Sequence, residues 1–109
     1  MKSAQRYHLE VFGCVVIENI LTEDEVGRLH EAMQKMKRDL LQVHTRGKTC
    51  VRGCRLCAVR KDYLHFAHIL KVDPAIFEYL TYARLVAMVE ELVGGGVGLE
   101  ESEAVINFP

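Results

Sequence analysis

The chain has 109 residues, of which 50% are hydrophobic and 27% charged, and its formal net charge is -1. This length and balance are those of one globular domain and exclude a disordered or fibrous chain. Because the charge is nearly balanced, the sequence creates no field that would attract nucleic acid or an anionic membrane, and neither is expected as a partner.

The N-terminal segment contains Lys2, Arg6 and Glu10 and lacks the apolar core of a signal peptide. Apolar runs elsewhere are shorter than the ~20 residues that a membrane-spanning helix needs. The sequence therefore predicts a soluble cytoplasmic protein. In that compartment the four cysteines are expected to be reduced thiols or metal ligands rather than disulfides.

The first predicted elements are a strand and a helix. Residues 11–19 contain three consecutive β-branched residues after Gly13, which predicts a short buried strand. Thr22 and Glu25 then have the spacing of a capping box, which predicts the start of a helix. The apolar residues that follow recur at helical spacing and are predicted to pack in the core: Leu29, Met33, Met36, Leu40 and Leu41.

Residues 43–60 break this pattern with two glycines, several basic side chains and no sustained period. We predict that they form a loop insertion within a single domain spanning 1–109. A solvated surface loop is preferred over a phosphate-binding one, because no aromatic residue lies among the basic side chains.

Three cysteines, Cys50, Cys54 and Cys57, are crowded into this loop. With one histidine they would supply four ligands for zinc, so one hypothesis is a small zinc-stabilised protein-interaction module. Candidates for the fourth ligand are His44, His65 and His68. The same cysteine spacing is typical of radical S-adenosylmethionine enzymes, although those enzymes need a barrel of βα units that the sequence does not predict.

Two further helices are predicted. Asp73 and Pro74 suit the N-cap and the first position of a short helix that ends at Leu80. The next helix is predicted from Tyr82 to Val93, with Gly94 as its left-handed stop. Its apolar residues are predicted to form a buried side: Leu85, Val86, Val89, Leu92 and Val93.

The last predicted strand covers residues 99–108. Side chains alternate along a strand, so Ala104, Ile106 and Phe108 share one face, and Val105 and Asn107 share the other. We expect the edge of this strand to lack a partner, which favours self-association of the chain.

Three segments, taken in order, resemble the N-terminal part of the phytanoyl-CoA dioxygenase family. They are the Phe-Gly strand and capped helix at 12–22, the helices at 73–80 with 84–86 and 90–95, and the strand at 103–109. The resemblance implies an α+β fold: a helical flank plus the first strands of a double-stranded β-helix, or jelly roll, with the rest of that core truncated. It also implies Fe(II)- and 2-oxoglutarate-dependent hydroxylation.

Two histidines and one carboxylate hold the iron in this family. The sequence has no His-x-Asp, and its His-x-Glu pair, His8 and Glu10, precedes the first predicted strand. His65 and His68 lie three apart and could share a helix face, and we predict that they are packing or surface residues rather than ligands. We therefore expect a fragment or truncated form that lacks the triad and is inactive alone, and the sequence leaves open whether the chain is itself an enzyme.

Some members of the family place residues of the cosubstrate pocket on the last matched strand. The nearest equivalents are Ala104 and Asn107, and only Asn107 has an amide that would bond a polar ligand. The alternative is that this amide bonds the local backbone. Fe(II) and 2-oxoglutarate are thus implied by the family, and neither is expected on this chain alone.

Overall fold

The computed structural model describes all 109 residues and confirms an α+β fold, with four α-helices and a four-stranded antiparallel sheet of order β1-β2-β3-β4. A single 3-10 turn, Ile69–Lys71, follows β3. The other elements are α1 (Ser3–Phe12), α2 (Glu23–Thr45), β1 (Cys50–Val51), β2 (Cys54–Val59), β3 (Tyr63–Ala67), α3 (Pro74–Thr81), α4 (Ala83–Val93) and β4 (Glu103–Asn107).

The strand predicted for residues 11–19 is wrong. Its first two residues end α1, and Gly13 stops that helix with a φ of 72°, a conformation that favours glycine. A strand forms only where a neighbour satisfies its backbone hydrogen bonds, and no strand of the sheet pairs with this segment. Val16 is consequently 82% exposed.

The capping box at the start of α2 is confirmed. The Glu25 N–H donates to Thr22 Oγ1 over 3.2 Å, and the Thr22 N–H donates to Glu25 Oε2 over 2.8 Å. The predicted core stripe is also confirmed, because Met36 and Leu40 are fully buried and the other apolar residues of the stripe pack against the same core.

The loop insertion predicted for residues 43–60 is wrong. The helix α2 continues to Thr45, and β1 and β2 form an antiparallel hairpin whose turn contains Gly53 at a φ of 83°. The alternation that defines a strand is present, with Cys54 and Leu56 buried and Arg55 exposed. This alternation is hard to recognise in the sequence, because basic side chains occupy the outward positions and the turn.

The core lies between one face of the sheet and the two helices α2 and α3. Leu56, Leu64 and Phe66 of the sheet belong to one buried cluster with Met36 and Leu40 of α2, and Ile76 of α3 completes it. Leu64 pairs with Ile106 and Phe66 with Ala104, so the inward side of β4 faces the same core. The predicted alternation of β4 is therefore confirmed.

Both later helices begin and end as predicted to within a residue. Asp73 Oδ1 accepts from the Ala75 N–H over 2.9 Å at the start of α3, and Gly94 stops α4 with a φ of 76°. The predicted buried side of α4 is wrong, because no residue of α4 is buried and Val93 is 63% exposed. An apolar stripe is buried only where another element lies opposite it.

Polar contacts tie α4 to distant parts of the chain, while its half-buried Leu85 and Val86 lie beside Leu80 of α3. The Arg84 guanidinium binds the Glu25 carboxylate and the Ile20 carbonyl oxygen, and its hydrogen bond holds the pKa of Glu25 below the usual range. At the other end, Glu91 accepts from the N-terminal ammonium over 2.8 Å and from Arg6 of α1 over 3.0 Å.

None of the helices is both long enough and apolar enough to cross a bilayer.

We predict that Leu40→Ala lowers the free energy of unfolding by about 3 kcal/mol, because it removes a fully buried side chain from the centre of the core. Chemical denaturation followed by circular dichroism measures the change. Val16→Ala is the matched control, and its 82% exposed side chain should cost less than about 0.5 kcal/mol. Equal effects of the two variants would contradict this core.

Candidate functional site

The face of the sheet opposite α2 and α3, here called the open face, carries polar side chains. The strand register and the alternation of side chains define it. Arg55, Val105 and Asn107 are exposed on it, which shows that no helix covers these positions. The full set is Arg55, Ala58, Tyr63, His65, Ala67, Glu103, Val105 and Asn107.

A histidine and a carboxylate meet on the open face. His65 Nε2 of β3 lies 3.2 Å from Glu103 Oε2 of β4, and the two form an ion pair whenever the imidazole is protonated. His65 and His68 do not share a helix face, because His65 lies on a strand and His68 follows it with a φ of 61°. The alternation of Leu64 and Phe66 with polar neighbours was the signal for this strand.

A cleft of about 470 Å³ lies at one end of the open face. Ser102 shapes it, because its carbonyl oxygen accepts from the His68 N–H over 2.8 Å and its Oγ accepts from the Ile69 N–H over 3.2 Å. Its charged side chains are Arg55 and Lys71 together with Glu100, Glu101 and Glu103, and His68 also lines it.

The two residues predicted for a cosubstrate pocket lie on opposite faces of β4. Asn107 is exposed on the open face, opposite Tyr63 of β3. Ala104 pairs with Phe66 and packs against the core. A ligand on the open face would therefore meet Asn107 and not the side chain of Ala104.

The three clustered cysteines are divided between the two faces of the hairpin. Cys54 is buried in the core, while Cys50 pairs with Arg55 at the exposed side. Cys57 is exposed at the irregularity between Leu56 and Ala58. The structure contains no group of three His, Cys, Asp or Glu side chains placed to hold a metal ion.

Burial also changes the acidity of Cys54. Desolvation, with the nearby thiols of Cys50 and Cys57, raises the pKa of the Cys54 thiol to about 11. A thiol with this pKa is protonated at neutral pH, whereas metal ligands and nucleophiles are thiolates. In this conformation Cys54 is a buried apolar residue.

The His-x-Glu pair lies on α1 and cannot hold one ion. Each residue of an α-helix is rotated by about 100° around the helix axis, so positions two apart lie on nearly opposite sides of it. His8 and Glu10 therefore face different directions. His8 Nδ1 instead lies 2.9 Å from the carbonyl oxygen of Cys14, the residue after the helix stop.

No protein-family model, curated protein or solved structure matches this chain. The resemblance to the phytanoyl-CoA dioxygenases thus stays a prediction from the sequence. Since the strand expected in the first matched segment is not formed, the remaining support lies in the matched helices and in β4.

We predict that a thiol reagent at mildly alkaline pH modifies Cys14, Cys50 and Cys57 quickly, because all three are exposed, and Cys54 only after unfolding. Absorbance of the released chromophore counts the thiols, with and without denaturant. The control, Cys54→Ala, should keep the three fast thiols and lose the slow one. Four fast thiols in the unaltered protein would contradict the burial of Cys54.

We also predict that Cys54 makes the fold sensitive to alkali. Its pKa is about 11 in the folded chain against an ordinary value of 9.0, so the unfolded chain loses this proton first as the pH rises. The stability that the protonated thiol contributes is complete below pH 9.0 and is lost between 9.0 and about 11. The loss should be at most about 3 kcal/mol, measured as the difference in pH dependence between the unaltered protein and Cys54→Ala.

Proposed function

We propose that this chain is the N-terminal portion of a phytanoyl-CoA dioxygenase-like Fe(II)- and 2-oxoglutarate-dependent hydroxylase. In this role it supplies the helical flank and the first strands of the double-stranded β-helix. The chain does not turn over substrate alone. The observation that carries the proposal is a sheet with helices against one face and a second face on which Arg55, Val105 and Asn107 are exposed.

A jelly roll consists of two antiparallel sheets packed face to face. In the proposed role, α2 and α3 form the outer layer, and the open face is the surface on which the second sheet packs. The open face combines the half-buried Tyr63 with the exposed Val105, and both are residues that a sheet interface accepts. Asn107 and the pair of His65 and Glu103 are the polar groups that such packing would enclose.

The proposal assigns no iron site to the residues of this chain. His65 and Glu103 supply one imidazole and one carboxylate, and a facial triad needs a second imidazole. No other His, Cys, Asp or Glu completes a group of three with them. Inactivity of the chain alone is therefore part of the proposal, and no catalytic step is assigned to its residues.

The alternative, a zinc-stabilised interaction module, requires Cys50, Cys54 and Cys57 to converge on one ion. The hairpin places Cys54 in the core, and Cys50 and Cys57 are exposed. Binding zinc through all three would require the hairpin to turn Cys54 outward. The zinc module is therefore the alternative that the metal analysis below distinguishes.

We predict that the 109-residue chain releases no succinate from 2-oxoglutarate with added Fe(II), and that it contains well below one zinc per chain by elemental analysis. One zinc per chain that is lost in Cys54→Ala would establish the zinc module instead. Iron-dependent release of succinate would contradict the inactivity of the chain.

The positive test is a chimera in which β4 continues into the iron-binding half of a phytanoyl-CoA dioxygenase. We expect iron-dependent consumption of 2-oxoglutarate, and we expect Val105→Lys to abolish it by placing a charge between two sheets. The control, Glu31→Lys, changes an exposed residue of α2 and should leave turnover unchanged. A chimera that folds but shows no turnover would contradict the proposal.

A further inference from the structure

The two edges of the sheet differ in how well they are protected. At one edge, β1 has only two residues and continues directly into the turn of the hairpin. At the other, β4 has five residues, pairs only with β3 and contains neither Lys nor Pro. Short strands, lysines and prolines are the usual protection of an edge against another chain. The edge of β4 is therefore the accessible one.

The register shows which backbone groups of β4 point to this edge. The His68 N–H donates to the Ser102 carbonyl oxygen, and the Phe108 N–H donates to the Asp62 carbonyl oxygen. In an antiparallel pair, residues bonded to the neighbour alternate with residues whose N–H and C=O point away. Ala104 and Ile106 are thus bonded to β3, and the backbone groups of Glu103, Val105 and Asn107 point outward.

We infer that this edge binds a second copy of the chain, so that the two β4 strands pair antiparallel about a two-fold axis at Val105 and join the two sheets into one. In this register Glu103 lies opposite Asn107 of the other copy, and Val105 lies opposite its own equivalent. Three such pairs, each exchanging two hydrogen bonds, give six. The inference is independent of the proposed function.

The sequence of β4 favours this register over its neighbours. If one strand slides by two residues in either direction, only two of the three outward residues of each strand are still paired. Four of the six hydrogen bonds between the copies then form. A larger shift toward the N-terminus brings Glu103 opposite Glu103, and like charges directly opposite each other are destabilising. In the register centred on Val105 each Glu103 faces the neutral amide of Asn107, which can donate to its carboxylate.

The pairing also preserves the two faces of the sheet. Side chains that lie opposite each other share a face, so Ala104 meets Ile106 of the other copy on the side of the core. The open faces of the two copies become continuous. Because each remaining edge is the short β1, a two-fold dimer is closed and does not extend into a fibre.

The test compares Val105→Pro with Val105→Thr by sedimentation over a range of concentrations. Proline removes the outward N–H and leaves the bonds to β3 intact, whereas threonine keeps the N–H and the β-branched shape. We expect dimers for the unaltered protein and for Val105→Thr. For Val105→Pro we expect a dissociation constant about tenfold or more weaker, because two of the six bonds are lost. A monomeric unaltered protein, or a dimer that Val105→Pro leaves unchanged, would overturn the inference.

If Val105→Pro does not fold, hydrogen exchange on the unaltered protein tests whether the edge of β4 forms the dimer interface. The amides of Ala104 and Ile106 should be protected at every concentration, and those of Glu103, Val105 and Asn107 only where the dimer is populated. Rapid exchange of these three amides in a dimer would place its interface elsewhere. Protection that appears in a monomer only after an extended peptide is added would assign the edge to another chain, and would equally overturn the inference.

Discussion

The rest of the structure depends on the packing of β3 against α2. Phe66 and Leu64 on the inner side of β3 are fully buried in one cluster with Met36 and Leu40 of the helix. The same strand pairs with β2 on one side and β4 on the other, so its position determines where both neighbours lie. Burial of a few large apolar side chains at one place thus organises both the helical layer and the sheet. Outside this cluster, α1 and α4 are joined to each other and to the start of α2 by hydrogen bonds and ion pairs at the surface.

This division explains why the polar chemistry of the chain is found on the open face. The alternation that sends Leu64 and Phe66 into the core necessarily sends Tyr63 and His65 to the opposite side. Glu103 reaches His65 only because β4 pairs in the register that buries Ala104 and Ile106. A shift by one residue would exchange the two faces, so the apolar packing fixes the polar pair as firmly as it fixes the core. Cys54 follows the same rule, since its position on the inner side of β2 makes it a core residue despite its exposed neighbour Arg55.

The sequence predicted correctly those features that depend on neighbouring residues. The caps at Thr22, Asp73 and Gly94 were predicted because the side chain or backbone that satisfies each helix end lies within four residues of it. Two of the wrong predictions required a distant partner. Residues 15–17 have the composition of a strand but no neighbour to pair with, and the apolar side of α4 is only partly covered. In the candidate site, the sequence predicted on which face of β4 Asn107 lies. The contact between His65 and Glu103 depends on strand pairing that no local pattern specifies.

The edge of β4 connects the two proposals, because both use the same backbone groups. In a jelly roll every strand except the outermost is paired on both sides, and β4 of a completed oxygenase domain would give its outward N–H and C=O groups to a further strand of the same domain. In the dimer those groups pair with a second copy. A backbone group that accepts or donates one ladder hydrogen bond cannot serve both partners, so the two arrangements are mutually exclusive at Glu103, Val105 and Asn107. In the proposed dimer, the second copy would satisfy these groups in place of a further strand. Adding such a strand should dissolve the dimer by competition for the same edge.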